Sequence, residues 1–284
     1  MKLCLMIFSL LFSGYTLAET FVWKVSKSDQ FLFLAGTVHV LAKKDLPFPR
    51  AFDDAYEQSH TVVLETDMGA LEDPQVQVRL MSQLSYQDGR LLSELISPAL
   101  YADLNQYLAQ RGMLPNMFIA MKPAGVMMTM LAVEFQRLGI SQAGADSVYY
   151  QKTINQGKAT LALESIETHL SFIQKMGEGN EEQFLRQTLN DVEKTEAMMS
   201  SIVLHWKSGD TSSLEKLVVD DMRLNYPNMY QSLLVERNKR WLPQIEQMLL
   251  TDEVEFVLVG AAHVIGADGL LKSLVELGYK VEQQ

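Results

Sequence analysis

The sequence predicts an α/β fold: one small central mixed sheet carrying large helical insertions. Three observations lead there. Six short runs rich in β-branched and aromatic residues alternate with two long blocks of helical periodicity. The later runs return to strand character after those helical blocks, so one sheet collects strands from both ends of the chain. Four of the runs end alike, in a turn that delivers a His or a Glu. With 284 residues, 48% hydrophobic and 21% charged, the chain has an ordinary globular balance and enough length for a sizeable core. A sheet domain with a separate helical cap is the competing division.

Residues 1–18 read as a signal peptide rather than as part of the fold. Lys2 starts it, residues 3–11 are almost continuously apolar, and Thr16-Leu17-Ala18 puts small residues where a signal peptidase cuts. The apolar run is too short to span a bilayer. Cleavage after Ala18 predicts an exported protein, periplasmic or secreted, with residues 19–284 as the folded unit. The single cysteine, Cys4, leaves with the signal, so thiolate and disulfide chemistry are excluded. Loss of Lys2 takes the net charge from −11 to −12, which disfavours nucleic acid and anionic lipid as partners.

Residues 21–26 and 31–35 are apolar and β-branched around the polar Lys27-Ser28-Asp29-Gln30, which predicts a hairpin. Residues 61–65 form the next strand. Helical periodicity then covers 98–110, 123–138 and 147–155. Met117, Met121, Met127, Met128 and Met130 fall in this block; their spacing predicts core packing, with a flexible apolar groove for a peptide as the alternative. A strand follows at 159–163, then helices at 181–206, 212–220 and 226–250, a strand at 254–259, a helix at 270–277 and a last strand at 280–282. No helical segment is long and apolar enough for a membrane span, because Lys122-Pro123 interrupts the most apolar one.

The chemistry sits at the strand ends. Phe31–Ala35 runs into Gly36-Thr37-Val38-His39, and Val254–Val259 runs into Gly260-Ala261-Ala262-His263. Each is an apolar strand, a glycine that permits a tight turn, two residues and a histidine. Val62-Val63-Leu64 leads into Glu65, and Leu161-Ala162-Leu163 into Glu164. Open α/β sheets bind ligands at the carboxyl ends of their strands. Two imidazoles with two carboxylates there suit a divalent ion such as zinc, manganese, iron or cobalt, with a spare carboxylate as base. Taken singly, a His or Glu after a strand is more often a hydrogen-bonding group than a ligand; the repeat raises the pair above that.

Other signatures are missing: there is no His-Glu-x-x-His, no Gly-x-Ser-x-Gly, no phosphate-binding loop and no dinucleotide fingerprint. His60 and His205 read as structural or solvated.

Several segments, in order, resemble the TraB/PrgY/GumN family: Gly36-Thr37-Val38-His39 with Leu46-Pro47 and Val62–Glu65; Gly144-Ala145-Asp146; Leu163-Glu164-Ser165; Arg237-Asn238 with Trp241; and Gly260–His263 with Gly266 and Gly269-Leu270. The resemblance spans residues 31–283. The family includes the animal Tiki proteins, described as metal-dependent proteases that use paired Gly-x-x-His motifs, and pheromone-shutdown proteins of conjugative plasmids; haem-binding lipoproteins and erythromycin esterases are more distant relatives. The resemblance implies His39, Glu65 and His263 at a divalent metal ion, with Glu164 and Arg237 lining the site and Asp146, Arg237 and Asn238 toward the substrate. The expected reaction is attack of an acidified water on an amide or ester carbonyl of a peptide or small molecule, Glu164 acting as base or ligand and Arg237 facing the oxyanion. The alternative is a protein that sequesters a peptide or haem in the same cleft without turnover. Arginine's rigid fork also suits an ion pair with Glu65, Glu164 or Asp146, Asn238 also suits a hydrogen bond to a loop, and Asp146 also suits the cap of the helix that follows. Where the family has Gln, five positions after the Leu-Glu glutamate, this chain has His169, read as a solvated helix residue.

Overall fold

A computed structural model describes residues 19–284, so the signal-peptide segment lies outside the described residues. Eight strands form: β1 (Val22–Lys27), β2 (Gln30–Thr37), β3 (Val40–Ala42), β4 (Thr61–Leu64), β5 (Ile140–Ala143), β6 (Ala159–Ala162), β7 (Glu255–Gly260) and β8 (Lys280–Gln283). Six make the central sheet in the order β6-β4-β7-β2-β1-β8. The first four of these run parallel, and β1 and β8 add antiparallel pairs at one side, so the sheet is mixed. All six anticipated strands are present, including the hairpin between β1 and β2, whose turn places Ser28 at φ 55°.

Every residue of β7 is buried, as befits a strand covered on both faces. Leu32, Leu34, Val62, Val63, Phe256, Val257 and Leu258 form a core with Phe52, Tyr149, Trp206 and Trp241 from the covering helices. A second buried cluster lies wholly in the helical insertions and includes Leu92, Leu100, Leu104, Phe118, Val126, Met130 and Leu185. Of the methionine-rich stretch, Met130 is fully buried, Met121 and Met127 are half-buried against this cluster, and Met117 is exposed. Among the described residues no helix is long and apolar enough to cross a membrane.

Three local features differ from expectation. β3 and β5 pair as a separate antiparallel two-stranded sheet that sequence reading missed. The anticipated helix at 181–206 breaks into Glu181–Val192 and Thr195–Lys207. The anticipated helix at 226–250 opens with a short turn, Pro227–Met229, followed by a π-helical stretch, Tyr230–Val235, that passes directly into the α-helix Glu236–Met248. π turns widen the helix locally and recur at functional sites; this one ends two residues before Arg237.

Candidate functional site

The four parallel strands bring their carboxyl ends to one edge. Moving across the sheet from β6 through β4 and β7 to β2, the residues beyond those ends are Glu164, Glu65, His263 and His39. The β4–β6 pairing continues past both strands: the Leu163 amide donates to the Leu64 carbonyl at 2.9 Å and the Glu164 amide to the Glu65 carbonyl at 3.0 Å. The two glutamates therefore leave the sheet side by side.

Gly260 is the centre of the constellation. A Cβ built there would lie 3.3 Å from Glu65 Oε1, 3.3 Å from His39 Nε2 and 3.7 Å from His263 Cδ2. The two Gly-x-x-His motifs thus meet on one side of the sheet edge, although 224 positions separate them in the chain. The Gly260 amide donates to Glu65 Oε1 at 2.6 Å.

His39 is aimed by Asp146, whose Oδ2 lies 2.7 Å from Nδ1. A carboxylate on Nδ1 takes that N–H and aims Nε2 at Gly260. The small β3–β5 sheet makes this possible. It leads into Gly144, whose amide donates to the His39 carbonyl at 2.9 Å. A Cβ on Gly144 would fall 2.0 Å from the Val38 carbonyl oxygen, so only glycine allows the approach. The helix starts at Ala145, not 147, which puts Asp146 inside its first turn rather than at its cap. The second Asp146 oxygen, Oδ1, is buried without a partner. Protein crowds the His39 ring, yet 57% of the side chain is open to solvent. Desolvation works against the charged ring, but the Asp146 carboxylate outweighs it and holds the pKa up to about 9.

Arg237 ties the other three residues together. Its Nη2 donates to Glu65 Oε2 at 2.6 Å and to Glu164 Oε1 at 2.7 Å. Nε donates to Glu164 at 3.1 Å, and Nη1 reaches His263 Nε2 at 3.0 Å and the Leu233 carbonyl at 3.4 Å. A guanidinium has five N–H donors, and every one has a protein partner. The ion pair with Glu65 and Glu164 is therefore the role realised, and no donor is turned toward a substrate oxygen. Its planar face lies over Trp241, 4.4 Å from the ring centroid. Burial alone would raise the Glu65 and Glu164 carboxyls, but the Arg237 charge holds Glu65 below the usual range, and the hydrogen bonds from His169 and Arg237 do the same for Glu164.

His263 is buried and neutral: desolvation pushes its pKa down to about 3. Its Nδ1 lies 2.7 Å from Asn238 Oδ1, while Asn238 Nδ2 donates to the carbonyls of His263 at 3.0 Å and Asp268 at 2.9 Å. Those two donations fix the amide's orientation, so His263 Nδ1 is the donor and Nε2 the acceptor from Arg237. Asn238, anticipated near substrate, has its amide spent on this brace. His169 also departs from expectation. Position 169 is one turn into the helix Ile166–Gln174, side chains point back toward a helix N-terminus, and Nδ1 meets Glu164 Oε1 at 2.9 Å with the side chain only 20% exposed.

The donors suit a divalent ion unevenly. His39 Nε2 and Glu65 Oε1 both face the point beyond Gly260, and His39 carries the carboxylate partner typical of a ligating imidazole. The Nε2 lone pair of His263 is engaged by Arg237, a permanent cation, which sets it apart from the other two. Among the described residues, no group of three or more His, Cys, Asp or Glu side chains is arranged to hold a metal ion.

The model of the TraB/PrgY/gumN family matches residues 21–283, nearly the whole chain. No match was found among curated proteins or among solved structures.

Proposed function

Because the chain belongs to the TraB/PrgY/gumN family, we propose that it is an exported hydrolase of amide or ester bonds whose water is activated in the cleft between His39 and Glu65. One observation carries this reading: His39 Nε2 and Glu65 Oε1 converge within 3.3 Å of the same point above Gly260. A divalent ion held by these two donors would supply water acidified toward neutrality. Asp146 holds His39 with Nε2 directed at that point; the same carboxylate raises the ring's pKa to about 9, so Nε2 would give up its proton on binding an ion. Arg237, Glu164, His263 and Asn238 form the rigid support behind Glu65, and Arg237 keeps that carboxylate ionised at neutral pH.

The test is turnover of pooled fluorogenic esters and peptide amides, together with metal analysis, for the wild type, His39→Ala and Glu65→Gln. The expected result is bound metal in the wild type, and a loss of metal and at least ~100-fold of turnover in each variant. Asp146→Asn should cost about 10–100-fold. Full turnover by His39→Ala overturns the proposal. A tight complex whose ligand stays unchanged, peptide or haem, would assign the cleft to sequestration instead.

A further inference from the structure

The two edges of the central sheet are finished differently. β8 carries Lys280 and Glu282, joined at 2.7 Å, and such charges discourage another strand from adding. β6 is Ala-Thr-Leu-Ala, has no charge, and is exposed at all four residues. Both strands have four residues, so length does not distinguish them. Leu161, with 52% of its surface exposed, stands on the unguarded edge.

The backbone there is available. The Leu163 amide bonds to Leu64 of β4, and in a parallel ladder alternate residues turn their N–H and C=O to the same neighbour. Leu161 and Leu163 therefore face β4, and Thr160 and Ala162 present N–H and C=O outward. Beyond Ala162 the chain runs through Leu163 into Glu164, bonded to Arg237 and beside Glu65. A chain laid along β6 is led to the edge where the proposed chemistry sits.

We infer that the free edge of β6 docks an extended segment of a polypeptide substrate by strand addition, feeding the chain across Glu164 and Glu65 toward His39. This rests on the hydrolase reading above and names its substrate class. Main-chain bonds to Thr160 and Ala162 supply affinity that depends little on sequence, with Leu161 offering an apolar contact. From β6 to β2 is three strand spacings, about 14 Å, which an extended chain covers in about four or five residues. The bond attacked would lie about that far beyond the docked segment.

Docking can be read without turnover, in the His39→Ala background. A photo-crosslinking amino acid replaces Leu161 in one protein and Val281 of β8 in another, and each is irradiated with a randomised pool of capped, uncharged dodecapeptides. Labelling is expected at position 161 and not at 281. Thr160→Pro removes an outward N–H while leaving the bonds to β4, and should cut labelling at least about fivefold; Thr160→Val should not. Circular dichroism and the unfolding midpoint establish that each variant folds. Equal labelling at both edges, no labelling at 161, or indifference to Thr160→Pro overturns the inference. So does a dimer in solution that Thr160→Pro dissociates, since the edge then belongs to a second copy. Absence of turnover in the wild type with β6 labelling intact would remove the hydrolase reading alone; turnover with no labelling would remove the docking edge alone.

Discussion

At the scale of single residues, the site divides into an open half and a closed half. His39 faces solvent and owes its state to one neighbour, Asp146. Asp146→Asn removes the charge that outweighs desolvation, so the His39 pKa should fall from about 9 to near or below its ordinary 6.5. NMR titration of the imidazole checks this, and a shift of less than about one unit would show that Asp146 does not govern the ring. Gly260 tests the convergence itself. Its backbone, at φ −53° and ψ 138°, accepts alanine without strain. The added methyl would sit against His39 Nε2 and Glu65 Oε1 at 3.3 Å, however. Gly260→Ala should therefore cost at least about tenfold in turnover, with an unfolding free energy within about 1–2 kcal/mol of wild type. Turnover equal to wild type would mean that no reacting group uses that space.

At the scale of elements, the helix Glu236–Met248 supplies the cation that lets two carboxylates be buried at a sheet edge. Arg237→Met keeps the apolar stem and removes the charge, leaving Glu65 and Glu164 unpaired. Breaking a buried pair in this way costs about 3–5 kcal/mol, and denaturant unfolding should show most of it. A loss below about 1 kcal/mol would mean that solvent already satisfies the glutamates. The elements also show what the sequence reveals. The inner strands were legible because parallel, doubly covered strands must be β-branched and apolar throughout, as in Phe256-Val257-Leu258-Val259; the outer ones were legible from short β-branched runs between polar turns. The endings in His39, Glu65, Glu164 and His263 were legible because parallel strands share a carboxyl edge. β3 and β5 were not: Val40–Ala42 is three residues long, Ile140–Ala143 is half polar, and their pairing spans about a hundred residues. Yet that pairing carries Gly144 and Asp146 to His39. The break at Glu193-Lys194 carries neither Pro nor Gly, so periodicity alone ran the helix through it. The placement of His169 and the full engagement of Arg237 depend on how far side chains reach across three elements, which spacing along one chain does not encode.

For the whole molecule, these local charges set a direction for stability against pH. His263 is held near 3 in the fold, against 6.5 when unfolded, so its contribution is complete above pH 6.5 and drains away as the pH falls toward 3. Glu65, Glu164 and Glu134, the last buried in the helix Pro123–Arg137 and paired with Arg111 and Arg137, are all held below their ordinary 4.5, so their contributions are present above that value and vanish in stronger acid. His39 runs the other way: its pKa is raised, so its contribution is complete below pH 6.5 and is lost as the pH climbs through about 9. With more than half of its surface in solvent, that alkaline loss is the smaller, because water and salt screen its pair with Asp146. The unfolding midpoint in urea should therefore be greatest near pH 6.5–7, decline gently toward pH 9 and fall steeply below pH 5. Asp146→Asn should flatten the alkaline side and leave the acid side alone, since His263 and the three glutamates lie outside that pair. A midpoint that rises between pH 7 and pH 4 would contradict the buried, neutral state of His263, and with it the brace that positions Glu65 beside Gly260.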